Sequence, residues 1–181
     1  MTTPEPAPGS KPALDDETLA FAARVFQYAR MGHAEELAEL FGQGLPANLR
    51  NDKGDSLLML AAYNGQEAAA RAILEAGGDP ELANDHGQTP LAGAAFKNDL
   101  AVARLLLDHG AQVDGTGGGS RTALMTAAMF DRTEMVALLL ARGADPDRRD
   151  ADGRGAADLA RQMGAQATPA QLDAATRPAG A

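Results

Sequence analysis

The chain has no cysteine and no tryptophan, and only two tyrosines and five phenylalanines in 181 residues. Without cysteine there are no disulfides, no thiolate metal ligands and no cysteine nucleophile. Three histidines, His33, His86 and His109, leave little for zinc binding or general-base chemistry. No apolar run approaches the roughly 20 residues that cross a bilayer, and the start, Met1-Thr2-Thr3-Pro4-Glu5-Pro6, lacks the basic and apolar stretches of a secretion signal. The expectation is a soluble cytoplasmic protein with no membrane partner. Positive charge is the scarce sign. Sixteen basic against 25 acidic residues give a formal charge of −9, and so acidic a surface repels phosphate backbones, which argues against a nucleic-acid partner.

What is present is leucine, alanine, valine, isoleucine and methionine, and the core must be built from them. Small side chains let helices approach closely, which favours stacked helices over a large sandwich. Residues 1–13 hold Pro4, Pro6, Pro8 and Pro12 with almost nothing apolar, and read as a disordered tail. Residues 165–181, AQATPAQLDAATRPAGA, read as a low-complexity tail, frayed or disordered, with one helical turn around Gln171–Ala175. The body runs from about Leu14 to Gly164.

Within the body several columns share one period. Gly77, Gly110 and Gly143 are spaced by 33 residues, as are Leu58, Leu91 and Leu124, and Leu74, Leu107 and Leu140. The pairs Ala61-Ala62, Ala94-Ala95 and Ala127-Ala128 keep the same step, and Gly54 and Gly87 keep it through Ser120 to Gly153. A fixed period of this size is the mark of a repeat architecture. Ser56, Thr89 and Thr122 each precede an apolar run, where a hydroxyl caps free backbone N–H groups. Pro90 follows Thr89 at the first helical position. Leu91–Phe96 reads as a short helix and Leu100–Asp108 as a second. His109 sits at the helix end and Gly110 at the left-handed cap. Asn84-Asp85-His86-Gly87 reads as a tight turn between units.

Residues 85–114, DHGQTPLAGAAFKNDLAVARLLLDHGAQVD, resemble an ankyrin repeat. So do residues 119–147 and, more loosely, 53–81. The resemblance implies an all-α solenoid of stacked helix-turn-helix units with short inter-repeat turns, and a small stand-alone bacterial protein. Its domain occupies 14–164, with an N-terminal capping unit at 15–50, repeats at 51–83, 84–116 and 117–149, and a partial C-terminal cap at 150–164. The histidine usual in the helix-opening motif of that family is replaced by Met59, Ala92 and Met125. Each missing side-chain bond is worth about 1 kcal/mol, so modest stability is expected.

The segment Gly115–Thr122 almost fits a phosphate-binding loop, but Ser120 and Arg121 stand where glycine and lysine are required, and the period places it in an inter-repeat turn. It reads as a flexible glycine tip. Asp145, Asp147, Asp150 and Asp152 lack the alternation and terminal glutamate of a calcium loop and read as a solvated turn. No catalytic constellation is visible, so neither an enzyme nor a cofactor or metal site is expected.

The informative residues are apolar. Tyr63, Phe96 and Met129 share the 33-residue phase, followed by Asn64, Lys97 and Phe130. The resemblance implies that these positions, with the turn tips, line a concave face that grips a partner. Carried over, the tip residues include Lys53, Asp55, His86, Gln88 and Arg121, and Arg30 extends the row into the N-terminal cap. Helices about 10 Å apart would spread the Tyr63–Phe96–Met129 row over about 20 Å. The expected function is a non-catalytic, monomeric module that binds another protein. The alternative is a dedicated inhibitor or protective chaperone of a single enzyme, steered to it by its acidity. A nucleotide-binding enzyme built on residues 115–122 is the remote alternative.

Overall fold

The computed structural model describes residues 15–176. The proline-rich tail expected at 1–13 lies outside the described residues, as do 177–181. The described residues form ten helices: α1 Asp16–Met31, α2 Ala34–Gly42, α3 Leu57–Tyr63, α4 Glu67–Glu75, α5 Pro90–Lys97, α6 Leu100–Asp108, α7 Ala123–Met129, α8 Thr133–Ala141, α9 Ala156–Gln162 and α10 Thr168–Thr176. Odd-numbered helices stack on one another in chain order, and even-numbered helices stack behind them. The result is an all-helical solenoid of five helix pairs; the one β-type contact among the described residues is the isolated bridge between Arg50 and Ser56.

Each inner helix starts where its cap is. The Ser56, Thr89 and Thr122 hydroxyls accept hydrogen bonds from the N–H groups of Met59, Ala92 and Met125 at 3.0, 3.2 and 3.2 Å. All three capping residues are buried, so the bonds also satisfy donors that water cannot reach. The fourth unit has Gly155 in this column and reverses the arrangement. Asp158, which stands in the column of Met59, Ala92 and Met125, accepts from the Gly155 N–H at 3.0 Å. The loose match of residues 155–160 to the motif therefore still starts a helix.

The end of each inner helix requires a left-handed residue, and Gly32, Gly65, Asn98, Asp131 and Gly164 supply it at successive 33-residue steps. Between them lies a continuous core. Leu58, Leu91 and Leu124 are each 1% exposed, and the paired alanines behind them are fully buried, within one cluster. Alanine there is a packing requirement: it lets neighbouring inner helices come close.

A second ladder ties the loops at the outer-helix ends. Asn48 accepts from the Asp79 N–H at 2.8 Å, Glu81 from Gln112 at 2.9 Å and Asp114 from Asp145 at 3.1 Å. Each bond joins one unit to the next. Burial pushes the Glu81 carboxyl above the ordinary glutamate value, opposed by the Gln112 bond.

The carboxyl-terminal segment departs from the sequence expectation. Residues 168–176 form a two-turn helix, longer than the single turn around Gln171–Ala175, and complete a fifth pair beyond the partial cap at 150–164. The reason is tertiary. Thr168 and Leu172 are buried against the preceding pair, and the Thr168 hydroxyl donates to the Ala128 carbonyl at 2.8 Å. Asp131, held at φ +56°, accepts from the N–H groups of Thr168, Ala167 and Gln166 at 2.9, 3.0 and 3.2 Å. Asp173 pairs with Arg161 at 2.6 Å. A low-complexity stretch becomes a helix because a residue 37 positions upstream of Thr168 caps it.

The Thr168 and Ala167 N–H bonds hold the Asp131 carboxyl below the ordinary aspartate value. Its contribution is therefore complete above that ordinary value and is lost as pH falls through the lowered one. Asp131→Ala should accelerate hydrogen exchange of the 166–172 amides at neutral pH while leaving α5 protected. The wild type should show the same local loosening on acidification. Unchanged protection of 166–172 in the variant would show that the cap does not hold α10.

Candidate functional site

The inner helices and the turn tips enclose two adjoining grooves of about 440 and 270 Å³. Met59, Tyr63, His86, Gln88 and Phe96 line both, so the grooves form one trough. Its floor is low at the central repeat because Ala92 and Gly93 stand where the neighbouring units carry Met59-Leu60 and Met125-Thr126. The small side chains that forfeit the usual histidine bond thus open space.

The aromatic residues do not form the widely spaced row expected from the helix separation. Tyr63 and Phe96 stack with centroids 5.8 Å apart and planes 9° from parallel, and Phe130 meets Phe96 edge to face at 4.7 Å. The rings lean together across three repeats, because each such contact contributes about 0.5–1.5 kcal/mol beyond simple burial. They remain open to solvent: Tyr63 is 41% exposed and Phe130 37%. The cluster covers the core edge and also presents a contiguous apolar surface.

The structure brings Tyr63, Phe96, Met129, Phe130, His86, Gln88 and Arg121 into the larger groove, and Lys53 and Asp55 into the smaller. Three expected residues stand outside the lining. The Asn64 amide donates to the Leu60 carbonyl at 2.8 Å and serves the end of α3. The Lys97 ammonium lies 5.0 Å from the centre of the Tyr63 ring, a cation–π contact that leaves it beside the trough. Arg30 lines neither groove.

The tips owe their shape to a column that sequence reasoning passed over: Asn51, Asn84, Gly117 and Asp150. The Asn51 side-chain oxygen accepts from the Lys53 and Asp55 N–H groups, both at 2.9 Å, and Asn84 accepts likewise from His86 and Gln88 at 3.0 Å. The Asn84 amide also donates to Asp55 of the preceding tip at 2.9 Å, and Arg50 reaches Asp85 at 2.9 Å. The shared 33-residue step would have revealed this column. Asp150 belongs to it and is buried, not solvated as expected. It accepts from Asp152 and Arg154 N–H groups, and the Arg154 guanidinium holds its carboxyl below the usual range.

Gly117 breaks the column, and no side chain at that tip can repeat the turn. The chain instead lies directly against the neighbouring tip. A Cβ on Gly117 would stand 2.9 Å from the Thr89 methyl, and one on Gly119 would stand 2.8 Å from the Gly87 carbonyl oxygen. The glycine segment read as a flexible tip rests against the neighbouring tip through Gly117 and Gly119, and Gly119, Ser120 and Arg121 line the larger groove.

Among the described residues, no group of three or more histidine or acidic side chains is placed to hold a metal ion. No helix among them is long and apolar enough to cross a membrane. A family model described as ankyrin repeats (3 copies) matches residues 25–117 and 77–150. An ankyrin repeat protein of Pseudomonas aeruginosa is 52% identical over 61 residues, which is 34% of this chain and 36% of that relative. The aligned stretch thus spans about a third of the curated relative's length.

Gly87 has φ +71°, and a Cβ there would stand 2.8 Å from the Gly119 Cα. Gly87→Ala should cost at least about 1 kcal/mol from the left-handed conformation alone, a fall in Tm of roughly 2–4 °C. An unchanged melting curve would show that the two tips do not pack as described.

Proposed function

The chain belongs to the ankyrin-repeat family, and from that premise we propose that it is a non-catalytic module whose inner trough grips one partner protein. Ankyrin repeats generally mediate protein–protein interaction. The observation that carries the finer reading is the aromatic cluster. Tyr63, Phe96 and Phe130 are three of the seven aromatic residues in the chain, and they meet at the trough, partly exposed. Exposed aromatic residues massed beside a concavity mark an interaction surface, and such side chains carry a large share of interface energy.

The trough suits a polypeptide better than a small metabolite. It is shallow and continuous across the tips of three repeats, and its polar groups are side chains spaced along an edge. An extended segment can lay successive side chains along such a surface.

Tyr63→Ala and Phe96→Ala should each weaken partner binding by about 2 kcal/mol, or about thirtyfold in Kd, and together by about a thousandfold. Ala92→Leu tests the same surface from the other direction, by filling the floor without removing a ring. Calorimetric titration against a cross-linked and identified partner measures all three variants, with circular dichroism confirming the helical content. An affinity that survives both the double truncation and the filled floor would remove the trough from the interface.

A further inference from the structure

We propose that the trough takes a linear segment of another protein in which acidic residues flank an apolar or aromatic anchor. This rests on the protein-binding reading above and adds the chemistry of the partner. Carboxylates outnumber cations in the chain, 25 to 16. The larger groove inverts that balance. Arg121 lies in its lining, and no carboxylate does. In the smaller groove Lys53 lines the wall with a single carboxylate, Asp55, whose oxygens accept from Asn84 at 2.9 Å and Asn51 at 3.4 Å. Asp85, at the central tip, is paired with Arg50 at 2.9 Å.

Lys53 and His86 stand 33 residues apart on successive tips, and Arg121 lies on the third tip, two residues beyond Gly119, which continues their column. Among the described residues, neither Lys53 nor Arg121 forms an ion pair. The outer face of the first two helix pairs carries the other sign. Glu35, Glu67 and Glu75 gather along α2 and α4, with Arg71 already engaged by Glu67. An acidic segment is therefore repelled from α2 and α4 and drawn to the tips, where a concave, partly apolar surface concentrates the field.

The aromatic cluster between the tips supplies the apolar half. It has room beside it, about 440 Å³ over the Ala92–Gly93 floor, for a large side chain. Tips about 10 Å apart span about 20 Å from the first to the third, the length of about six extended residues at roughly 3.3 Å each. The recognised element is a short stretch with acidic groups near both ends and an aromatic or branched aliphatic residue between.

The test is selection of a random dodecapeptide library on the immobilised full chain, run in parallel on Phe96→Ala and on the double variant Lys53→Glu/Arg121→Glu. The wild type should enrich peptides with aspartate or glutamate around an aromatic residue or leucine. A fluorescein-labelled copy of the leading peptide should lose at least about tenfold in affinity to the double variant. It should also weaken steadily between about 0.05 and 0.5 M salt. The double variant should in turn select basic peptides, a gain that a folding defect cannot produce. If enriched peptides are basic or uncharged and depend on Phe96, the acidic-segment proposal falls while the trough reading stands. If they bind Phe96→Ala undiminished, both fall. Absence of any enrichment over Phe96→Ala overturns the proposal, as does selection of sequences matching the chain's own residues 1–14, or self-association of the wild type in sedimentation.

Discussion

A single helix pair of this chain cannot bury its own apolar faces, and everything else in the structure follows from that. Helices of seven to nine residues are too short to persist alone, and they persist here because each inner helix is sandwiched between two others. That sandwich works only if every unit presents leucine and alanine at the same height. The demand for equal height is what imposes the 33-residue step on the core leucines, the capping hydroxyls and the left-handed helix ends together. Stability in such an array is distributed among neighbour interfaces, and the two hydrogen-bond ladders, one at the tips and one at the outer loops, add directional bonds to the apolar contact.

The trough exists where this regularity lapses. At the central repeat Ala92 and Gly93 give up bulk, and at the third tip Gly117 gives up the side chain that makes the turn in the other units. The first lapse lowers the floor. The second lets the backbone of 117–119 close against Gly87, which turns a tip into a wall. Neither departure disturbs the stack behind, because Leu91, Ala94 and Ala95 still face the core. A solenoid can vary one face freely while the other carries the fold, and that separation allows a binding surface to be shaped at little expense in stability.

Charge shows the same division. The net charge of −9 describes the whole chain and says nothing of where the cations stand. Several acidic groups are consumed internally: Asp131 caps α10, Asp150 shapes the last tip, and Asp114 and Glu81 bond backbone N–H groups of the next unit. Those carboxylates are hydrogen-bond acceptors first. Lys53 and Arg121 are left at the edge that faces the trough.

The repeat period, the helix pairs, their caps and the identity of the core were determined by the sequence alone. Each is a local or strictly periodic property, and a column of leucines or threonines is visible without coordinates. The tip residues Lys53, Asp55, His86, Gln88 and Arg121 came instead from the family resemblance that the period revealed. Only the tertiary structure decided how far side chains lean from their columns. It gathered Tyr63, Phe96 and Phe130 into one cluster, drew Lys97 over the Tyr63 ring beside the trough, and turned residues 168–176 into a helix. The physical reason is common to all three: each outcome depends on contacts between residues tens of positions apart, whose geometry no single column records.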